Sequence, residues 1–159
     1  MVWGMWILVL ALLTLLFGNW ETGQQNPNRS VETQTRADGT REVVLQRNRY
    51  HHYVATGEID GEPVEFMLDT GASDISVPES VARRIGLERG APVRYQTANG
   101  VITGYSTVLD RVTLGDIVLR DVRASINPHM DGNNVLLGMS FLRHLEFTQR
   151  GDTLTLRQY

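Results

Sequence analysis

The chain has 159 residues, a net charge of −3 and a pI near 5.8, which fit one ordinary domain and argue against binding nucleic acid through phosphates. It contains no Cys and no Lys; all 15 basic residues are Arg. Disulfide scaffolds, Cys-ligated zinc, thiol nucleophiles, Walker-type lysines and Schiff-base chemistry are therefore excluded.

The first element is apolar. Between Met1 and Phe17 only Gly4 and Thr14 fall outside the apolar set, and no charged side chain occurs before Glu21. About 20 such residues span a bilayer core of roughly 30 Å as a helix. Trp3, Trp6 and Trp20 stand near the two ends, where amphipathic rings prefer the interface. Residues 1–20 are read as an uncleaved transmembrane anchor. A cleaved signal would need a basic n-region and a small-residue cleavage site, and neither is evident near Phe17-Gly18-Asn19. A buried core helix is the remaining alternative. Arg29, Arg36 and Arg41 follow the segment and no basic residue precedes it, a weak pointer to a cytoplasmic domain.

Residues 21–40 contain only two apolar side chains, Val31 and Ala37. So little apolar surface does not offset ordering entropy, and the stretch is expected to be a flexible linker reaching about 25 Å. Asn28-Arg29-Ser30 within it is formally a glycosylation sequon, of a kind common by chance.

From Arg41 the pattern is mostly β, and residues 41–159 are read as one domain. Val64, Phe66 and Leu68 alternate with Glu65 and Met67; Val112 and Leu114, Ile117 and Leu119, and Leu154 and Leu156 alternate likewise. Asp60-Gly61, Asn99-Gly100, Gly115-Asp116, Asp131-Gly132 and Gly151-Asp152 punctuate these runs as turns. One helix is expected after Pro78, with Val81 and Ile85 on one face and Gly86 closing it. A shorter one is expected after Gly138, carrying Phe141 and Leu142. The fold class is all-β with one or two short helices.

Phe66-Met67-Leu68-Asp69-Thr70-Gly71-Ala72-Ser73 carries the chemistry. An apolar strand runs directly into an acid, a hydroxyl and a glycine. A tight loop there presents Asp69 to a cleft, and Gly71 lets its N–H approach the carboxylate. Thr70 is expected to tie the loop from behind, and Ser73 to bond the outer carboxylate oxygen. Asp, Thr and Gly are also ordinary turn residues, so the tripeptide alone is not decisive. Val135-Leu136-Leu137-Gly138 repeats the pattern of apolar strand then glycine, and Tyr95 to Ile102 forms a hairpin with small residues at its tip.

With these three features the chain resembles the retropepsin-like aspartic proteases (clan AA), and within them the bacterial membrane-anchored single-domain branch. The resemblance covers residues 41–159. It implies a retropepsin-like closed barrel, with Asp69 catalytic in an active-site loop of Thr70, Gly71, Ala72 and Ser73. It implies a flap at Ala98, Asn99 and Gly100, and cleft support from Leu136, Leu137 and Gly138. The implied function is a membrane-anchored aspartic endopeptidase without metal or cofactor. Peptide hydrolysis of this type needs two carboxylates, and only one Asp-Thr-Gly occurs among nine Asp residues. The expected enzyme is a homodimer, with the terminal strands near Val43–Leu45 and Leu154–Leu156 in its interface. The resemblance leans toward a single-pass protein of the bacterial inner membrane with a periplasmic domain. The alternatives are a catalytically silent peptide-binding or scaffold domain on the same fold, and an unrelated β-barrel module.

Other residues read as structural. His51, His52, His129 and His144 lack metal-ligand spacing, and Asp131-Gly132-Asn133-Asn134 lacks the Glu of a calcium loop. Asp74 is read as a strand-edge acid or a partner of Arg83 or Arg84 rather than a catalytic one. Tyr95 is either a flap residue touching substrate or a core residue.

Overall fold

A computed structural model of the chain describes residues 2–98 and 100–159. Helix α1, Val2–Gln25, stands clear of the rest, and none of its apolar span is buried. At 1.5 Å per residue its 24 residues extend about 36 Å, enough to cross a bilayer. Within it the hydroxyl of Thr14 donates to the Leu10 carbonyl at 2.7 Å, so that polar group is satisfied inside the helix. The absence of any covering surface removes the buried-core alternative for this segment.

The segment 21–40 differs from its expected flexibility. Helix α1 runs on to Gln25, and Asn26 and Asn28 are only 2% and 6% exposed. The Asn26 amide donates to Thr56 Oγ1 and Glu65 Oε1, each at 3.0 Å. The Asn28 amide donates to the carbonyls of Val54 (2.7 Å) and Gln46 (2.9 Å), and its oxygen accepts from Gln46 N at 2.7 Å. The backbone carbonyl of Asn28 accepts from Thr56 N at 3.0 Å. Strand β1, Thr33–Thr35, then pairs antiparallel with β2, Arg41–Gln46. Hydrogen bonds order this polar segment where apolar burial could not. They also bury and engage the amide nitrogen of the Asn28 sequon.

The body is a closed barrel. In chain order it comprises β3 (Val54–Ile59), β4 (Glu62–Leu68), β5 (Ile75–Pro78), α2 (Glu79–Ile85), β6 (Pro92–Thr97), β7 (Gly100–Leu114), β8 (Ile117–Asn127), β9 (Asn134–Leu137) and α3 (Met139–Leu142). Hairpin β10 (Glu146–Arg150) and β11 (Thr153–Gln158) closes the chain. The main sheet runs β3-β4-β9-β5-β8-β7-β6, and a β3–β7 pairing joins its ends, leaving β6 to extend outward with the tip of β7. At the closure, a Cβ on Gly57 would meet the Thr113 carbonyl at 2.4 Å, so only glycine fits. Asp60-Gly61 turns β3 into β4 with positive φ at both residues, as its sequence demands.

The alternating residues point inward as expected. Val64, Phe66, Val112, Leu114, Ile117, Leu154 and Leu156 are all buried in one core with Phe141. Fully burying such a side chain stabilises the fold by about 1.5–3 kcal/mol before entropy is counted. Helix α2 follows Pro78 and closes at left-handed Gly86, and α3 carries the expected Phe141 and Leu142. Strands β2 and β11 pair with each other inside a second sheet, β1-β2-β11-β10. Their backbones are thus used within the chain, and the sheet edges are β1 and β10.

Candidate active site

Two parallel strands set the site. β4 and β9 run side by side with Leu68 opposite Leu137, and each leaves the sheet at the next residue. Asp69 N donates to the Leu137 carbonyl at 3.2 Å, carrying the pairing one step into the loop. The Ala72 N–H closes the turn on the Asp69 carbonyl at 3.2 Å. The Gly71 N–H donates to Asp69 Oδ1 at 2.8 Å, as expected of a glycine there. This N–H donor fixes the orientation of the carboxylate.

The loop is tied from behind by the start of α3 rather than by Thr70. Met139 N donates to the Ala72 carbonyl (2.8 Å) and Ser140 N to the Ser73 carbonyl (3.0 Å). The Ser140 hydroxyl accepts from Ile75 N at 3.0 Å. Gly138 lies between these contacts, and a Cβ there would fall 2.1 Å from the Asp74 carbonyl oxygen. Thr70 and Ser73 have exposed side chains. Among the described residues Gly71 makes the one hydrogen bond to the Asp69 carboxylate, so the expected Ser73 contact is not formed.

Asp69 stands on a lip between two hollows. The first, about 400 Å³, is lined by Gly71, Ala72 and Ser73 of the loop, by Tyr95, Thr97, Ala98 and Ile102 of the β6–β7 hairpin, and by Leu136 of β9. Of the residues expected to form a flap, Ala98 lines the same hollow as Asp69 and Gly100 opens β7; Asn99 falls outside the described residues. Of the three residues expected to support the cleft, Leu136 lines it, Leu137 is buried in the core and Gly138 packs against the loop. The second hollow, about 340 Å³, combines Asp69 and Thr70 with the apolar side chains of Leu68, Leu142, Phe147 and Leu154.

An ion pair that sequence reading missed borders the first hollow. Asp74, 8% exposed, accepts from Arg123 Nε and Nη2 of β8, each at 2.8 Å. The hydroxyl of Tyr95 donates to the other carboxylate oxygen at 3.3 Å. Burial, ahead of the nearby Asp74 charge, holds the Tyr95 phenol above its usual range. Arg83 and Arg84, the expected partners of Asp74, instead bond Glu79 and the Pro63 carbonyl. Tyr95 is thus a cleft-wall residue linking the hairpin to the loop that follows Asp69. The four histidines come to no common point, and the described residues hold no cluster of metal-binding side chains.

Comparison with known proteins agrees with this geometry. Residues 55–144 match the gag-polyprotein putative aspartyl protease family. The crystal structure of a retropepsin-like aspartic protease from Rickettsia conorii superposes with a TM-score of 0.65 and 26% identity, over 81% of this chain and 96% of that one. The EIAV protease, solved with the inhibitor HBY-793, shares the fold at a TM-score of 0.51 and 18% identity, over 62% of this chain and 92% of its own. An uncharacterized protein from the cobV 5′ region of a Sinorhizobium species is 35% identical over 145 residues, 89% of this chain. The chain spans 62% of that relative's length. The chain belongs to the retropepsin-like aspartic protease family, and its fold is that of a protease.

Proposed function

We propose that the protein is a membrane-anchored aspartic endopeptidase that acts as a homodimer through two Asp69 carboxylates. The observation that carries this is the setting of Asp69. One carboxylate oxygen is held by the Gly71 N–H, and the residue opens both to a peptide-sized cleft and to a second, apolar hollow. One such carboxylate cannot both take a proton from water and give one to the substrate. A symmetry-related Asp69 supplies the second. Two carboxylates in contact share one proton, because they cannot both ionise cheaply.

In the reaction the ionised Asp69 removes a proton from the attacking water. The protonated mate donates its proton to the carbonyl oxygen, giving a tetrahedral diol. Its collapse re-forms the carbonyl, breaks the C–N bond and passes a proton to the leaving nitrogen. The exposed Thr70 side chain and Phe147, 42% exposed beside the apolar hollow, support placing the partner on that face. Because β2 and β11 are internal, the partner would meet β10 and side-chain faces rather than their backbones. The substrates are protein or peptide segments that thread beneath the β6–β7 hairpin.

Helix α1, uncharged through Trp20 and bare of protein cover, is read as a single-pass anchor of the bacterial inner membrane. The domain is assigned to the periplasmic side. The test uses the full chain in detergent, with a diverse peptide pool between about pH 4 and 7, beside Asp69→Asn. Turnover by the parent chain and none by Asp69→Asn is expected. Equal turnover by both refutes the mechanism. No turnover by either, with a stable monomer, supports a silent peptide-binding domain instead.

A further inference from the structure

We propose that the loop Arg49-Tyr50-His51-His52 is a membrane-docking surface, seated among the anionic phospholipid headgroups of the bilayer that α1 enters. This rests on reading α1 as a membrane span. The chain has no slack between that helix and the domain. Gln25, the last residue of α1, offers its carbonyl to Asn48 Nδ2 at 2.8 Å, and the next residue, Asn26, is already buried against β3 and β4. Trp20, the last interface-type ring, precedes Gln25 by five residues, which is about 7.5 Å of helix. Each headgroup layer is roughly 5–8 Å thick. With Trp20 at the hydrocarbon boundary, Gln25 and the Asn48 side chain bonded to it fall at the outer part of that layer.

The loop after Asn48 is built to project. Asn48 Oδ1 accepts from Tyr50 N (2.9 Å) and His52 N (3.0 Å), and Asn48 N donates to the His52 carbonyl at 2.8 Å. His51 occupies the left-handed region at φ 67°. The turn consumes its own backbone groups and leaves Arg49, Tyr50, His51 and His52 exposed, Tyr50 by 48%. The Arg49 guanidinium lies 4.7 Å over the Tyr50 ring.

These side chains suit a headgroup layer. Tyrosine prefers the boundary between apolar and wet, and a guanidinium pairs with phosphate in a bidentate fork. Among the described residues Arg49 has no acidic partner, whereas neighbouring Arg47 is already paired with Asp152. An unneutralised cation held at this depth raises the bound population roughly fivefold on an anionic surface.

The test exploits the absence of cysteine. The full chain with His52→Cys carries a polarity-sensitive dye at a single thiol. It is reconstituted in phosphatidylcholine vesicles with and without about 30% phosphatidylglycerol, and read by acrylamide quenching of the dye. Quenching at least threefold lower in the anionic vesicles than in detergent is expected, rising back toward the detergent value when Arg49→Gln and Tyr50→Ser are added. Both added sites are exposed, so an unchanged thermal melt checks that the fold is kept. A chain that floats with the vesicles while its dye is quenched equally in anionic vesicles and in detergent overturns the docking. A chain that fails to float even with neutral vesicles overturns the span reading, and the docking with it.

Discussion

Gly138→Ala would set a Cβ 2.1 Å from the Asp74 carbonyl oxygen and 2.6 Å from that of Ala72. Both atoms are backbone, so no side chain can rotate away. Ordinary contact begins near 3.4 Å, and the two segments must therefore part by about 1 Å. The Met139–Ala72 and Ser140–Ser73 hydrogen bonds lie in that gap. Overpacking of this kind costs about 1–3 kcal/mol, and straining two buried bonds brings the total to roughly 2–4 kcal/mol. For a domain of this size that lowers Tm by about 10 °C. The same shift displaces the loop bearing Asp69, and a misplacement near 1 Å costs about 10²-fold in kcat. The control is Gly57→Ala, whose Cβ meets the Thr113 carbonyl at 2.4 Å at the barrel closure. It should lower Tm comparably while the folded fraction keeps its kcat. Thermal melts and peptide turnover on the full chain in detergent measure both. A Gly138→Ala protein with parental Tm and kcat would refute the account of how the loop is held.

Three more outcomes are expected. Asn28→Ala leaves Gln46 N and the Val54 carbonyl without their partner and should cost about 2–3 kcal/mol in denaturant unfolding; a loss under about 0.5 kcal/mol would show that the segment is not strapped. Tyr95→Phe removes the hydroxyl bonded to Asp74 and should raise amide exchange through residues 96–102 about fivefold, and unchanged exchange would mean that this contact does not hold the hairpin. The Arg157 hydrogen bond at 2.6 Å, with the Arg36 charge behind it, holds the Glu42 carboxyl below its ordinary value of 4.5. A folded-state pKa below the unfolded one adds stability above pH 4.5 that fades as pH falls through the folded value. Glu42→Gln should thus destabilise at pH 7, by an amount that shrinks as pH falls from 4.5 through the lowered folded value, and a pH-independent difference would contradict the pairing.

The barrel was readable because its signals are local. Val64, Phe66 and Leu68 announce β4 by period-two burial, Asp60-Gly61 announces the turn before it, and Gly86 announces the end of α2. The Asp69 loop was readable for the same reason, since acid, hydroxyl and glycine sit together at a strand end. What escaped is what depends on distant partners. Arg123 reaches Asp74 across 49 positions, whereas Arg83 and Arg84 are nearer in sequence yet point elsewhere. The strap at Asn26 and Asn28 escaped for another reason. Composition counts apolar area, but the Asn28 amide substitutes for strand backbone in binding β2 and β3 while the Asn26 amide holds side chains of β3 and β4, and no apolar tally registers that. The alternation of Leu154 and Leu156 marked β11 as a strand, but alternation does not name its pairing partner, β2.

The strap changes what anchoring would do. A free coil of 20 residues would let the domain range over roughly 25 Å. Clamped at Gln25 and Asn26, a domain anchored through α1 would keep one height above the membrane. Arg47 bridges Tyr53, the Tyr53 carbonyl accepts from Leu68 N at 3.0 Å, and Asp69 follows. The backbone entering Asp69 therefore lies about two strand spacings, some 10 Å, from the chain beside Asn48. Two copies anchored in one bilayer can be related only by a two-fold axis along the membrane normal. In the proposed homodimer that axis would pass between the two Asp69 residues, with the hollow beside Asp69 turned toward the partner. On the proposed reading of an anchored dimer the cleft would meet polypeptide close to the bilayer surface, which would favour the juxtamembrane segments of other anchored proteins over the protein's own strapped linker.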